Sequence, residues 1–286
     1  MNALLADLLD LLQLEQLDAD RFRGQSRDIG APQVFGGQVL GQALMAAGHT
    51  VEQRTAHSLH AYFLRRGDVA APIVYTVDRA RDGGSFTSRR VIAEQHGRTI
   101  FHMAASFQRA EPGIEHQAGM PDVPGPEGLP DRSDVPPEVS ARLHERLRAY
   151  LLRKRPFLIR PVNAPDLLRP EKMEPIKHVW IKAVDSLPDD SLLHQALFAY
   201  VSDYELLSTA TLPHAINFRD SNVQMASLDH AIWFHRPFRA DEWLLFSYDS
   251  PSASGSRGLA RGQVFSRDGR LVASTAQEGL MRIRGS

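Results

Sequence analysis

No cysteine occurs anywhere in the 286 residues. Disulfide frameworks, thiolate nucleophiles and cysteine-ligated metals are excluded together, and the composition fits a reducing, cytoplasmic setting. Neither sign of charge is in excess: 33 lysines and arginines face 34 aspartates and glutamates, a net charge of −1. No general attraction to nucleic acid or anionic membrane is expected from that balance. No apolar run approaches the roughly 20 residues a bilayer-spanning helix needs. The start, "MNALLADLLDLLQLEQL", has no basic flank and is interrupted by Asp7 and Asp10. Leu5, Leu8, Leu9 and Leu12 follow the helical period, which predicts an amphipathic capping helix rather than a signal peptide. The tail "MRIRGS" is not a Ser-Lys-Leu peroxisomal signal.

Familiar catalytic signatures are missing too. There is no Gly-x-Ser-x-Gly elbow, no P-loop and no His-Glu-x-x-His, and "GGQVLG" has the wrong spacing for a dinucleotide fingerprint. "HSLH" (His57–His60) and "DHAIWFH" (Asp229–His235) contain metal-ligand types. Strand alternation would put His57 and His60 on opposite faces, so structural histidines are expected and a metal site is not.

What is present is a repeat. Glu111–Glu138 is too rich in proline and glycine for a helix or sheet interior and reads as a linker. On each side a helix precedes a run of strands separated by turns such as "HGR" (His96–Arg98) and "DGR" (Asp268–Arg270). "VFGGQVLGQALMAAGHTV" (Val34–Val51) and "SLLHQALFAYVSD" (Ser191–Asp203) are the helices, with Gly36 and Gly37 marking a close approach. His60-Ala61 sets against His230-Ala231, Arg65-Arg66 against His235-Arg236, and Gly97-Arg98 against Gly269-Arg270, at offsets of 170 to 172. A near-constant offset argues for a duplicated α+β unit. The predicted organisation is residues 1–110 as the first unit, 111–170 as linker, and 171–286 as the second unit. Within the linker, Glu138–Arg155 is expected to form one amphipathic helix with Leu143, Leu147 and Leu151 on a stripe.

The two copies differ in their polar residues. Asp203 ends an apolar helix, Ser227 is placed at the opening of the strand "SLDHAIWF", and Gln277 lies within "VASTAQEGLMRI". A carboxylate withdrawn from water and set at the negative end of a helix is costly unless it is paired or neutralised. Gln277 falls opposite Ala105 and Ser227 opposite His57, and the first helix has no carboxylate near the place of Asp203. A set that served only the fold would be wanted in both copies, so the asymmetry points to chemistry.

Long motifs along nearly the whole chain resemble those of the acyl-CoA thioesterase II (TesB-like) family. They include "FRGQS" (Phe22–Ser26), "QVFGGQVLGQAL" (Gln33–Leu44), "HSLHAYFLRRGD" (His57–Asp68), "RDGGSFTSRRV" (Arg81–Val91) and "ASFQ" (Ala105–Gln108). "AYVSDYELL" (Ala199–Leu207), "SLDHAIWFHRPF" (Ser227–Phe238) and "VASTAQEGLMR" (Val272–Arg282) complete the set. The resemblance implies a double hotdog, in which two tandem helix-wrapped antiparallel sheets form one continuous sheet. It implies hydrolysis of acyl-CoA to fatty acid and coenzyme A, with Asp203, Ser227 and Gln277 as the catalytic set acting on a water. Ser227 stands where the family often has threonine. No cofactor is implied, since coenzyme A is part of the substrate, and the family's habit of oligomerising implies a homodimer or homotetramer. Weaker expectations make His57 a substrate contact and Arg65, Arg66, Arg89, Arg90, Arg257 and Arg261 candidates for the coenzyme A phosphates. Two other readings compete. A hotdog enoyl-CoA hydratase would need an Asn and a downstream His that "RRGDVAAPI" (Arg65–Ile73) lacks, and a non-catalytic acyl-CoA binder would lack the acid, hydroxyl or amide.

Overall fold

The computed structural model describes residues 1–30, 33–217, 220 and 222–284, so the end of the tail read for a sorting signal lies outside the described residues. The first unit opens with α1 (Ala3–Leu12), β1 (Glu15–Gln16), β2 (Arg21–Gly24) and α2 (Gly36–Gly48). It continues through β3 (Thr55–Phe63), β4 (Ile73–Asp82), β5 (Phe86–Gln95) and β6 (Arg98–Gln108). Between the units lie α3 (Pro137–Ser140) and α4 (Glu145–Leu152), whereas β7 (Phe157–Pro161), inside the predicted linker, is the outermost strand of the second unit's half of the sheet. The second comprises β8 (Ile176–Ala183), α5 (Ser191–Ser202), a 3-10 segment (Leu207–His214) and β9 (Val223–Ser227). It ends with β10 (Asp229–Phe234), β11 (Leu244–Ser254), β12 (Arg257–Ser266) and β13 (Leu271–Ile283).

One antiparallel sheet runs in the order β1-β2-β4-β5-β6-β3-β10-β13-β12-β11-β8-β7, with β9 paired to β13. Each unit has the same plan reflected about its middle, where β3 and β10 pair from Asp229↔Tyr62 to Trp233↔Ser58. Joining there removes two exposed strand edges that would otherwise template association. The sheet wraps α2 and α5, which are buried along most of their length, as expected for helices that are apolar almost all round. They run antiparallel and very close. A Cβ on Gly37 would lie 2.2 Å from the Tyr200 carbonyl oxygen, and one on Gly41 would lie 3.0 Å from that of Ala196.

Alternation holds along most strands and fails at one informative place. β3 bulges between Ala56 and Ser58, shifting parity by one residue. His57 therefore contacts Ser106, Nε2 to Oγ 2.8 Å, and the ring of Phe86. Both contacts lie on the outer face, where His60 is also exposed. The expectation that His57 and His60 take opposite faces is overturned by this bulge.

The linker, besides supplying β7, differs from its sequence reading in two further ways. The expected single helix is two short ones, α3 and α4, broken between Ser140 and Glu145. Its leucine stripe still clusters, with Leu143, Leu147 and Leu151 buried together. The irregular stretch before it is not a loose tether. Met120, Val123 and Leu129 pack on Trp180, Leu245 and Phe265, covering the outer face of the second unit. Among the described residues, no helix is long and apolar enough to cross a membrane.

Candidate active site

α5 is capped at its N-terminus by Asp190, whose carboxylate accepts from the N–H groups of Leu192 and Leu193, and it ends on Asp203. The side chain of Asp203 is only 6% exposed. Because α2 and α5 are antiparallel, the C-terminus of α5 meets the N-terminus of α2. The Gly37 N–H donates to Asp203 Oδ2 at 3.0 Å. The carboxylate thus sits at the negative end of its own helix and the positive end of its neighbour.

The chain turns at Leu228, between the two strands that follow α5. Leu228 N–H donates to Glu278 O, and Phe63 N–H donates to Leu228 O. Ser227 closes β9 rather than opening β10, and pairs with Gly279. That places its hydroxyl beside Gln277, an inward-facing residue of β13 that is 1% exposed. Gln277 Nε2 donates to Asp203 Oδ1 at 2.7 Å and to Ser227 Oγ at 3.0 Å. Ser227 Oγ donates to Asp203 Oδ1 at 3.3 Å. Asp203, Ser227 and Gln277, spread over 75 residues of sequence, converge on one carboxylate oxygen.

Burial pushes the Asp203 carboxyl up to about 6, against the opposing pull of its hydrogen bonds from Gln277, Gly37 and Ser227. A base with such a pKa is largely ionised at neutral pH and can still take a proton.

His230 was not singled out from the sequence. It is fully buried, with Nε2 2.9 Å from Ser202 Oγ and Nδ1 4.0 Å from Asp203 Oδ1. Ser202 Oγ lies 3.0 Å from Ala199 O as well, so the imidazole is fixed at Nε2 and presents its Nδ1 edge to Asp203. Burial drives the imidazole down to about 3, so the pair is a neutral ring beside a carboxylate and not an ion pair. The repeat offset sets His230 against His60. The pairings Leu59↔Ala105 and Ala231↔Ala276 make Leu59 its counterpart instead. A one-residue slip exchanges the faces of a strand, and that slip conceals a fourth polar residue found only in this copy.

The remaining candidates lie elsewhere. His57 is on the outer face of the sheet, whereas Gln277 points inward to the helices, so the structure does not bring His57 to this site. Arg89 is 2% exposed and its guanidinium is engaged by Thr50 and Asp82. It has no free face for a phosphate. Arg90 pairs with Asp78 across β5 and β4, and Arg261 pairs with Asp249 at the equivalent register of β12 and β11. The recurrence of that pair in both units marks it as part of the fold. Arg257 is held by Glu278. Arg65 donates to Thr99 O and lines a cleft with Arg66 and Arg98. Among the described residues there is no cluster of three or more metal-ligating side chains.

Gly36 supplies a local test of the geometry. A Cβ at this position would lie 2.7 Å from Asp203 Oδ2 and 3.1 Å from the ring of Phe63. Gly36→Ala is expected to displace the carboxylate and lower kcat roughly 10- to 100-fold, with a smaller effect on KM. Steady-state kinetics beside a melting curve check this; unchanged kcat would mean that the carboxylate tolerates displacement.

Residues 150–280 match the family described as acyl-CoA thioesterase, and residues 24–108 match the acyl-CoA thioesterase N-terminal domain. The chain is 44% identical to acyl-CoA thioesterase 2 of Haemophilus influenzae over 283 residues, covering 99% of each. It is 43% identical to human acyl-coenzyme A thioesterase 8, covering 96% of this chain and 88% of that protein. Among solved structures, an acyl-CoA thioesterase II from Mycobacterium marinum superposes with a TM-score of 0.81 at 44% identity. That superposition covers 97% of this chain and 99% of the other. A hot dog fold protein from Alicyclobacillus acidocaldarius shares the architecture at a TM-score of 0.79 and 21% identity, covering 96% of this chain and 98% of the other.

Proposed function

The chain belongs to the acyl-CoA thioesterase family, and from that premise we propose that it hydrolyses acyl-CoA thioesters to free fatty acid and coenzyme A through Asp203, Ser227 and Gln277. The observation that carries the assignment of residues is the convergence of Ser227 and Gln277 on Asp203 Oδ1, and on each other, in a buried setting. A thioester carbonyl is weakly resonance-stabilised and its thiolate leaves readily, so water activated by a general base suffices. Asp203 accepts a proton as the water oxygen bonds to the carbonyl carbon. The carbon–sulfur bond then breaks and the proton passes to the departing thiolate. Ser227 and Gln277 position the water, and Gln277 Oε1, buried with no hydrogen-bond partner among the described residues, is the acceptor for its second O–H. The Gly37 N–H is taken up by Asp203 itself and is thereby removed from the candidates for oxyanion donor. The reaction consumes only water, and coenzyme A enters as part of the substrate.

Release of free thiol from a panel of acyl-CoAs tests the reaction. No thiol at any chain length would favour a binding protein, and hydration of an enoyl-CoA without thiol would favour a hydratase. The pH profile tests the base. With Asp203 near 6, kcat/KM is expected to be flat above about pH 7 and to fall about tenfold per unit well below pH 6. His230, at about 3, contributes no limb in that range. An acid limb near 4, or none, would remove Asp203 as the base.

A homo-oligomer is part of the same reading. The outer face of the first unit leaves Tyr62, Phe86 and Ile92 exposed at 52%, 45% and 43%, whereas linker residues cover the corresponding face of the second. Exposed apolar side chains on a sheet are the usual material of such contacts, and light scattering measures the assembly. A cytoplasmic site of action also belongs to this proposal, and fractionation of cells expressing a tagged copy tests it.

A further inference from the structure

The duplication allows one end of the molecule to be compared with the other. After β3, the N–H groups of Leu64 and Arg65 both donate to Ile100 O. After β10, those of His235 and Arg236 both donate to Val272 O. Arg65 and Arg236 are therefore equivalent, and their side chains begin alike. Arg65 Nη1 donates to Thr99 O at 2.6 Å, and Arg236 Nη1 donates to Leu271 O at 3.0 Å.

Beyond that point the two ends differ. In the second unit the linker lies over the arginine. Glu115 places a carboxylate oxygen 3.3 Å from Arg236 Nη2. Gln117 donates through Nε2 to Gly269 O at 2.8 Å and accepts from Leu271 N–H at 3.0 Å. In the first unit the same place is an open cleft of about 320 Å³ lined by Arg65, Gly97, Arg98 and Thr99. It adjoins a second of about 500 Å³ that adds Arg66, His96 and Asp68. None of Arg65, Arg66 and Arg98 has a carboxylate within ion-pair distance among the described residues. The one acid at the rim, Asp68, is held by His96 and the Ala70 N–H. His96 and Gly97 both have positive φ, 50° and 69°, so the turn folds tightly and a Cβ on Gly97 would meet nothing within 4 Å.

The open cleft is at the functional end. Arg65 follows Phe63 by two residues, and the Phe63 ring shares the space around Gly36 with Asp203 Oδ2. The covered cleft lies at the opposite end, beyond Phe234, where α2 ends on His49 instead of an aspartate.

We propose that the cleft formed by Arg65, Arg66 and Arg98 beside the Gly97 turn binds the phosphate groups of coenzyme A, in the place that Glu115 and Gln117 of the linker fill in the second unit. This rests on the thioesterase reading above and deepens it. Guanidinium groups suit phosphate oxygens in charge and geometry, and the long uncharged pantetheine arm bridges from them to the carboxylate. Arg66 and Arg98 enter as phosphate ligands together with Arg65, while Arg89, Arg90, Arg257 and Arg261 do not.

The test is the exposed double variant R66A/R98A in the full chain, assayed on an acyl-CoA and on the same acyl group carried by pantetheine, which lacks the phosphates. KM for the acyl-CoA is expected to rise about tenfold or more, with kcat little changed and the pantetheine ester hydrolysed as by wild type. The acyl-CoA advantage should also shrink with added salt in wild type and hardly at all in the variant. An unchanged KM for acyl-CoA, with wild-type thiol release intact, overturns the phosphate site while leaving the reaction standing. Equal losses on both substrates also overturn it, since that pattern is a general fault in the site. Absence of thiol release by wild type refutes the underlying reading instead. R90A, which removes an arginine already paired with Asp78, is the control expected to leave both substrates unaffected.

Discussion

Replacing Asp203 by asparagine is expected to lower kcat by about two to four orders of magnitude while the protein remains folded. The substitution is nearly isosteric and removes only the ability to take a proton. Its structural side is as informative as its kinetic one. In the native protein the carboxyl keeps its proton up to about pH 6, whereas the unfolded chain loses it near 3.8. A carboxyl whose folded pKa is raised makes stability fall as pH rises through that window. Above it, the ionised side chain costs the fold about 3 kcal/mol. Asparagine carries no charge, so the variant should melt no lower than wild type at pH 8. It is also expected to lose the part of the stability change between pH 4 and 6.5 that comes from residue 203. Some of that gain is offset because an amide group replaces an oxygen that accepts from Gln277 and Ser227 or from Gly37. Kinetics and thermal melts across that pH range check both halves. Near-normal turnover would remove Asp203 from the mechanism. A large drop in melting temperature at pH 8 would show that the buried charge supports the fold.

Much of this was legible because the chain contains its own control. The repeat marked Asp203 and Gln277 as present in one copy only, and the two glycines at the start of α2 announced the close helix approach seen at Tyr200. What sequence could not supply was parity. The bulge at His57 and the slipped alignment of His60 with His230 both change which face a side chain takes without changing any local pattern. Gly37 was visible as a packing residue and not as a hydrogen-bond donor, because its partner is 166 positions away. The linker misled in another way. Its proline content correctly excludes regular structure, but Met120, Val123, Leu129 and Arg132 give it a specific seat on the second unit. Isolated apolar residues in an irregular stretch carry no periodicity from which a seat can be read.

Arg132 leads to the other large expectation. Glu205, two residues past the candidate base, is fully buried. Its carboxylate meets Arg132 from the linker at 2.5 Å and Lys177 from β8 at 3.1 Å. Lys177 Nζ also donates to the Glu205 main-chain oxygen and to Ser208 Oγ, at 2.7 and 2.6 Å. Burial alone would raise the Glu205 pKa, but the two cations outweigh it and hold it below its usual value. Lys177 is shifted down rather than up, because its own burial and the nearby Arg132 outweigh its attraction to Glu205. The Glu205 carboxylate is therefore the acid that the two cations share. Glu205→Gln keeps the shape but takes from Lys177 its carboxylate partner and from Arg132 its direct ion pair, leaving Arg132 with Tyr150 and the more distant Asp131. A loss of about 3–5 kcal/mol is expected, which for a chain of this size lowers Tm on the order of 10 °C. A depressed carboxylate stabilises above its unfolded value, near 4.5 for Glu, and the contribution fades as pH falls through the lower folded value. The gap between wild type and variant should accordingly be full at pH 7 and shrink below pH 4.5. Lys177→Met should cost less, since Glu205 retains Arg132 and a methionine fills the apolar part of the space. Equal melting of E205Q and wild type at pH 7 would show that the three charges contribute no net stability. A fall in kcat accompanying the E205Q loss, at temperatures where the variant is fully folded, would mean that this buried cluster fixes the turn from which Asp203 reaches its partners.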